Sequence, residues 1–511
     1  MSYLDSKVPP VRDSRLKLGI SFGGCARDLL DCSQKGCLLS CKRSFTQTGS
    51  CQMFLSLQMV MTIPKSVTIM HGPVGCGSQS NMLDFAARNG SAARGVDRKN
   101  VIWTSTNLSE VDVINGGEGK LRQAILEAER DFRPDVIFVA STCTPSIIGD
   151  DIDEVADSLR DQISAKIVPL HCPGFKTRVV ATAYDTVYHG LAKYLDLEPK
   201  PYIDFKPLNK FDPKYEIESR KYAYMKSRTV NLVNASSIGA PDEKELTRLL
   251  KAMDLNVRVY TEYSSVDEFR MLSEASLNIS MCNVHDDYLL DYLKERYSIP
   301  YIIHNMPIGI RNTREWLLAV AEATGDTEKI KNIIQREEEE LMEALEPLRP
   351  QLKGRRVLLS GGVIRVACMA SLLKELGLEV IGVRPYHYDN LSDPIYEMLD
   401  REFPGINVNV SSSQMFELVN ILEREKPDIV FTHSGSNAWA AKTGTVSIPL
   451  FSPNKNYFAY AGAYDIAVSI ARALKNTAFQ KNIKENISLP LKKEWFEKDP
   501  YSYIQQDASE A

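Results

Sequence analysis

The chain has 511 residues, 44% of them hydrophobic and 25% charged, with 28 glycines and 25 prolines, which is the balance of a folded globular protein and excludes a disordered or collagen-like one. At about 100–200 residues per domain there is room for roughly three domains. A formal net charge of −5 offers no basic field to a phosphate backbone, which argues against nucleic acid as a partner.

The first 60 residues hold five of the ten cysteines: Cys25, Cys32, Cys37, Cys41 and Cys51. The charged start MSYLDSKVPPVRDSRLK is followed by no apolar stretch of a leader, and no window approaches the roughly 18–20 apolar residues of a membrane span. A cytoplasmic protein with no membrane partner is therefore expected. In a reducing compartment, clustered thiols serve metals or catalysis more often than disulfides. Cys25, Cys32, Cys37 and Cys41 match no established ligand spacing, so a further small cluster there competes with plain packing.

Beyond residue 60 the chain alternates short β-branched runs with amphipathic helical stretches. VTIMHGPVGCG (67–77), DVIFVASTCTPSIIGDD (135–151), KIVPLHCPGF (166–175), TVNLVNASSIG (229–239) and LNISMCNVH (277–285) each read as a buried strand running into a loop. The same grammar continues through IPYIIHN (299–305), RRVLLSGGVIRVA (355–367), LEVIGVRPY (378–386), DIVFTHSGSNAW (428–439) and VSIPLFS (446–452). Helical patterns such as EGKLRQAILEAERDF (118–132) and DEKELTRLLKAMDL (242–255) lie between them. Strand, loop and helix in repetition predict an α/β fold of three Rossmann-like parallel-sheet domains, at 61–226, 227–352 and 353–480. A cysteine-rich segment (1–60) precedes them and a tail (481–511) follows. Residues 196–226 read as a proline-rich crossing linker, and QREEEELMEALEPLRPQLK as a helix with a solvated charged face.

Parallel sheets present functional side chains beyond the carboxyl ends of their strands. Cys76, Cys143, Cys172, Cys282 and His433 all fall at such ends. Neither GxxxxGK(S/T) nor a helix-opening GxGxxG occurs, so no phosphate loop is predicted, and HExxH and compact CxxC zinc pairs are absent too. Thiols converging from separate strand ends suit a large iron–sulfur cluster, whose irons each take a soft ligand at a different point. Packing is the default for Cys172 and Cys368.

HGPVGCG (71–77), GGEGKL (116–121), STCTPSIIGDDI (141–152), HCPGF (171–175) and the strand ending at Cys282 follow the order and spacing of nitrogenase component 1 α-type subunits, which the chain resembles over about 45–475. The resemblance implies that Cys51, Cys76 and Cys143 ligate a P-cluster (8Fe-7S) shared with a homologous β-type subunit in an α2β2 assembly. It implies that Gly72, Gly75 and Gly77 let the backbone approach that cluster. Cys282 would anchor a second, larger iron–sulfur cofactor of unspecified heterometal, and an ATP-dependent iron–sulfur reductase protein would deliver electrons.

The chain departs from molybdenum nitrogenases around that second cofactor. IPLFSPNKNYFAYAG (448–462) lacks the anchoring histidine, leaving Ser452, Asn454, Lys455 or His433 as candidates. KTRVVATAYDTVYHG (176–190) offers Tyr184 and Asp185 in place of a glutamine and a histidine pair, SGGVIRVA (360–367) keeps only Arg365, and GSQSNMLDFAARNG lacks the expected arginine. Retained thiolates with a relined pocket resemble the methylthio-alkane reductases of this family. That implies ATP-coupled reductive C–S cleavage of a small thioether to methanethiol and a hydrocarbon, with Tyr184, Asp185, Arg365 and His433 as candidates for substrate contact or proton delivery. Competing readings make Asp185 a cap of the helix DTVYHGLAKYL and His433 a hydrogen-bonded structural residue. The alternative functions are a cofactor-maturation scaffold subunit and a variant nitrogenase α subunit.

Overall fold

Ten strands form where β-branched and aliphatic runs predict them, while Ile102–Ser105, Asn256–Thr261 and Asn407–Ser411 lie outside those runs. Ser66–His71 and Val136–Ser141 are buried at every position, as central parallel strands covered on both faces must be. The computed structural model describes residues 6–19, 21–39, 51–78, 80–96, 102–177, 179, 181–195, 197, 211–411, 414–433 and 435–501. They divide into two compact units. The first draws on the described residues of Met1–Ser14, Ser50–Ala240 and Leu250–Ile303, the second on those of Arg15–Gly49, Pro241–Leu249 and His304–Ala511.

The first unit contains two four-stranded sheets. In one, the order is Ile102–Ser105, Ser66–His71, Val136–Ser141, Lys166–His171, all parallel. Val67, Ile69, Ile137 and Val139 on this sheet pack against Leu121 and Ile125 of the helix Glu118–Phe132. Each such aliphatic side chain is worth about 1.5–3 kcal/mol when fully buried, so this layer dominates the local stability. The other sheet runs Tyr301–Ile302, Leu277–Ser280, Thr229–Asn234, Asn256–Thr261, again parallel.

The second unit is built on one six-stranded sheet. Its order is Val446–Pro449, Ile429–Thr432, Arg356–Gly361, Glu379–Pro385, Asn407–Ser411 and Ser21–Cys25. The last strand pairs antiparallel with Asn407–Ser411 and is an edge that the sequence reading did not anticipate. SFGGC has no alternating or β-branched signal, and its pairing with a partner far along the chain makes it a strand.

Each of these three sheets has a point where successive strands step off in opposite directions, the place where open α/β sheets leave a crevice. It lies between Ser66–His71 and Val136–Ser141 in the first sheet and between Thr229–Asn234 and Leu277–Ser280 in the second. In the third it lies between Arg356–Gly361 and Ile429–Thr432. Cys76 and Cys143, then Cys282, then Arg365 and His433 follow those flanking strands in turn.

One helical segment differs from expectation, and another keeps its solvated charged face opposite a buried apolar stripe. Tyr215–Ser227, inside the expected linker, is a helix. It buries no residue, so it shows no apolar stripe; its support is Glu216 and Glu218 in the first turn, Lys226 in the last and the Glu216–Arg220 pair. Residue 196 and residues 198–210 of that stretch lie outside the described residues. The charged helix Thr327–Leu345 is not solvated all round: Ile330, Ile334, Leu341 and Leu345 are buried, and Glu337 is paired with Arg248 at 2.7 Å. Among the described residues no helix is long and apolar enough to cross a membrane.

Candidate functional site

Three chain ends meet at the first crevice. Cys51 stands at the N-cap of the helix Gln52–Val60, Cys76 in the 3-10 turn Val74–Gly77 after Ser66–His71, and Cys143 at the start of the helix Cys143–Ile148 after Val136–Ser141. Cys51 and Cys76 are exposed and Cys143 is half-buried. Gly174 ties them together: a Cβ there would lie 2.8 Å from Cys51 Cβ and 3.7 Å from both Cys51 Sγ and Cys143 Sγ. Burial pushes the Cys76 thiol up, the neighbouring Thr142 hydroxyl opposes this, and the nearby Cys143 and Cys51 thiols push it further up. A raised Cys76 thiol beside two further thiols marks a place where bound positive charge is stabilising, because a metal reverses that electrostatic balance.

Exposed apolar side chains surround this patch. Val74 precedes Cys76 by two residues, Ile147 lies one helical turn beyond Cys143, and Phe175 follows Gly174; all three are exposed. Thiols opening among uncovered hydrophobes fit a site completed by another subunit. Among the described residues no three His, Cys, Asp or Glu side chains gather for a single metal ion. The donor set fits a cluster of several irons instead, since each iron takes its own thiolate at a separate point.

The sequence motifs around the thiols brace the loops. His71 Nε2 is 3.0 Å from Asp150 Oδ2 and its Nδ1 is 3.0 Å from Thr106 Oγ1. Asp150 also accepts the Gly117 N–H at 2.9 Å, so HGPVGCG, GGEGKL and the IGDD turn lock onto one carboxylate. Gly72 allows the ends of Ser66–His71 and Val136–Ser141 to close, because a Cβ would sit 2.0 Å from Thr142 Oγ1. Gly77 is accounted for by packing, with Met70 Cε at 2.8 Å and Trp103 at 3.0 Å from its Cβ position, whereas Gly75 faces open space.

At the second crevice Cys282 is buried and caps the helix Asn283–Tyr297. Its N–H donates to Ser280 Oγ at 3.1 Å and Asp286 Oδ2 at 3.2 Å; Asp286 also accepts from Ser280 Oγ at 2.8 Å and Tyr188 OH at 3.2 Å. Complete burial pushes the Asp286 carboxyl up to about 7 against the pull of these bonds. Tyr184 is buried within electrostatic reach of Cys282: burial raises its phenol well above the ordinary range, with Glu262 and Cys282 adding to the rise and Ser236 opposing it. Its ring is 4.2 Å from the His285 imidazole. His285 Nδ1 donates to Ala235 O at 2.9 Å, and Ser236 Oγ donates to Glu262 Oε1 at 2.5 Å. Sequence reasoning missed His285, Asp286 and Glu262. The first two had a signal, one helical turn beyond Cys282 on the helix it caps; Glu262 had none.

Asp185 sits one residue from Tyr184 but is committed elsewhere. Both its oxygens accept from Arg12, Oδ2 from Nε at 3.1 Å and Oδ1 from Nη2 at 3.0 Å, and Nη2 also reaches Asp287 Oδ1 at 2.6 Å. The helix begins at Thr182, so Asp185 is inside its first turn rather than at its cap. This buried pair anchors the chain start onto the first unit, a role invisible in a sequence where the partners are 173 residues apart.

Arg365 and His433 come together within the second unit. The Arg365 guanidinium is 5.3 Å from the ring centres of both Phe451 and Phe458. The His433 ring is stacked on Phe451 at 6.1 Å and meets Tyr386 edge-on at 5.9 Å. Burial, reinforced by the Arg365 cation, holds the His433 pKa down at about 4, so its imidazole is neutral near pH 7. Of the loop residues, Ser452 is half-buried while Asn454 and Lys455 are exposed. Cys172 and Cys368 are buried. Cys25, Cys32 and Cys37 belong to the second unit, and Cys41 lies outside the described residues.

Comparison with known proteins agrees with this geometry. The family profile of nitrogenase component 1 type oxidoreductases matches residues 51–475. The chain is 28% identical over 426 residues to a nitrogenase molybdenum-iron protein alpha chain of Methanothermobacter marburgensis, covering 81% of this chain and 84% of that one. It is 26% identical over 425 residues to the nitrogenase iron-molybdenum cofactor biosynthesis protein NifE of Methanococcus maripaludis, covering 81% and 80%. The solved structure of nitrogenase Cp1 at pH 5 superposes with a TM-score of 0.67 at 21% identity, over 87% of this chain and 91% of that one, which establishes the shared fold.

Proposed function

The chain belongs to the nitrogenase component 1 type oxidoreductases, and on that premise we propose that it is the α-type catalytic subunit of a nitrogenase-like reductase that cleaves C–S bonds in methylthio-alkanes. The observation that carries the reading is the pairing of a three-thiol patch, with Cys51 and Cys76 exposed, and a separate buried cysteine, Cys282, on whose helix His285 packs against the Tyr184 ring. Cys51, Cys76 and Cys143 would hold a P-cluster against a β-type subunit, and Cys282 the larger cofactor. When bound, such clusters supply low-potential electrons delivered by an ATP-dependent reductase protein.

The chain's own residues set the conditions around them. Asp286 and Ser280 bind the Cys282 N–H, which fixes the backbone from which its Sγ projects. Tyr184 Oη keeps its proton, because burial and the adjacent acidic groups disfavour the phenolate, and it serves as a hydrogen-bond donor within electrostatic reach of Cys282. His285 spends its Nδ1 hydrogen on Ala235 O, which holds the ring in one orientation. In the second unit Arg365 offers a permanent cation against an aromatic wall, with His433 neutral beside it. Asp185 is assigned to anchoring.

The overall step is R–S–CH3 plus two electrons and two protons giving R–H and CH3SH. Purified complex, reductase protein, ATP and a strong reductant are supplied with ethyl methyl sulfide, and ethane and methanethiol are measured by gas chromatography. Equimolar, sustained, ATP-dependent products are expected, and Cys282→Ser abolishes them while iron held at Cys51, Cys76 and Cys143 remains. Similarity to NifE supports a second reading as a maturation scaffold. Transfer of a cluster to an apo-reductase without thioether turnover would establish that instead, and ammonia from dinitrogen would mark a variant nitrogenase.

A further inference from the structure

Two cysteines outside these sites meet at the end of the helix Ala26–Lys35. Gly36 closes the helix in the left-handed conformation, φ 73°, and returns its N–H to the carbonyls of Cys32 and Ser33. In this turn the residue after the glycine folds back on the residue four before it, a contact that two apolar side chains usually make. Here both are cysteines. Cys37 Sγ donates to Cys32 O at 3.3 Å, and the Cys37 thiol lies near enough to raise the Cys32 thiol. Cys37 is exposed and Cys32 half-buried.

We propose that Cys32 and Cys37 form a reactive dithiol that closes reversibly to an intrachain disulfide when it meets a small external disulfide such as oxidised glutathione. Cys37 attacks first because its sulfur is accessible. Its thiolate displaces one glutathione thiolate and forms a mixed disulfide; the Cys32 thiolate then attacks Cys37 Sγ and displaces the second. The two protein thiols lose two electrons and two protons, and the glutathione disulfide gains both as two thiols. Burial and the neighbouring Cys37 push the Cys32 thiol up to about 12, so the second, intramolecular displacement draws on a small thiolate fraction and quickens as pH rises. The helix-ending turn already makes the approach, so closing so short a loop demands little backbone movement.

Trypsin cuts after Arg27, Lys35 and Lys42, which separates Cys32 from Cys37. The complete complex is treated anaerobically with oxidised glutathione, acid-quenched, alkylated and digested. The peptide 28–35 is expected covalently linked to 36–42, with dithiothreitol releasing both and alkylation of Cys32 and Cys37 falling by about tenfold relative to untreated complex. The link should persist in Cys41→Ser and vanish in Cys37→Ser. Full alkylation of Cys32 and Cys37 after treatment, or a link that survives Cys37→Ser and is lost in Cys41→Ser, overturns the assignment.

Discussion

Replacing Gly174 with alanine tests the thiol patch directly. The new methyl would stand 2.8 Å from Cys51 Cβ and 3.7 Å from the sulfurs of Cys51 and Cys143. Carbon atoms settle at about 3.5–4.0 Å, so Cys51 or the turn carrying Gly174 must give by roughly 0.7 Å or more. Metal–ligand distances hold to about 0.2 Å, several times less than that displacement. Overpacking of this kind costs about 1–3 kcal/mol, which a chain of this size survives. Gly174→Ala should therefore fold, unfold thermally close to the wild type, and lose most of the iron that the proposed cluster at these thiols would bring. Iron per heterodimer and the electron paramagnetic resonance spectrum of the oxidised complex read the outcome. Gly75→Ala is the companion: with nothing within 4 Å of its Cβ position, it should leave the stability of the chain alone while lowering iron content, because a cluster would fill that space. A Gly174→Ala complex with wild-type iron and an unchanged spectrum would refute the role given to Cys51.

Arg12→Ala leaves Asp185 and Asp287 without their shared cation in a site where the Arg12 side chain has no exposure, and should cost about 3–5 kcal/mol in urea denaturation. Adding Asp185→Asn should recover part of that loss, and wild-type stability of the single variant would remove Asp185 from the anchor. Burial also holds His189 down at about 4, below its ordinary 6.5. The native chain then binds fewer protons than the unfolded chain between those values, so this contribution is complete above pH 6.5 and is lost as pH falls towards 4. Replacing His189 with phenylalanine removes the term and also costs the 2.7 Å hydrogen bond to Tyr288. The stability difference between wild type and variant should shrink as pH drops through that window; a constant difference refutes it.

The parallel α/β architecture was readable because buried strands such as Ser66–His71 are continuous apolar runs and the helices between them keep an apolar stripe. Cys76, Cys143 and Cys282 stood out for the same reason, since a strand end is visible locally and cysteine is rare. Ser21–Cys25 and the Tyr215–Ser227 helix were not readable, one depending on a distant partner strand and the other having no buried face.

Roles decided by long-range contacts were equally hidden. Tyr184 and Asp185 are neighbours in sequence, yet one packs against His285 and the other binds Arg12. Adjacent helix positions point about 100° apart, and which neighbour each meets depends on what packs there.

The sequence by itself determined which residues end strands and which of those ends carry thiols, because both follow from short-range hydrophobic period and residue identity. Only the tertiary structure decided that Cys51, Cys76 and Cys143 share one surface, that Asp286 holds Cys282, and that Arg365 and His433 flank the same aromatic wall. The physical reason is strand order: placing Ser66–His71 beside Val136–Ser141 is a matter of crossover and packing between segments far apart in the chain, and no local pattern encodes that neighbour.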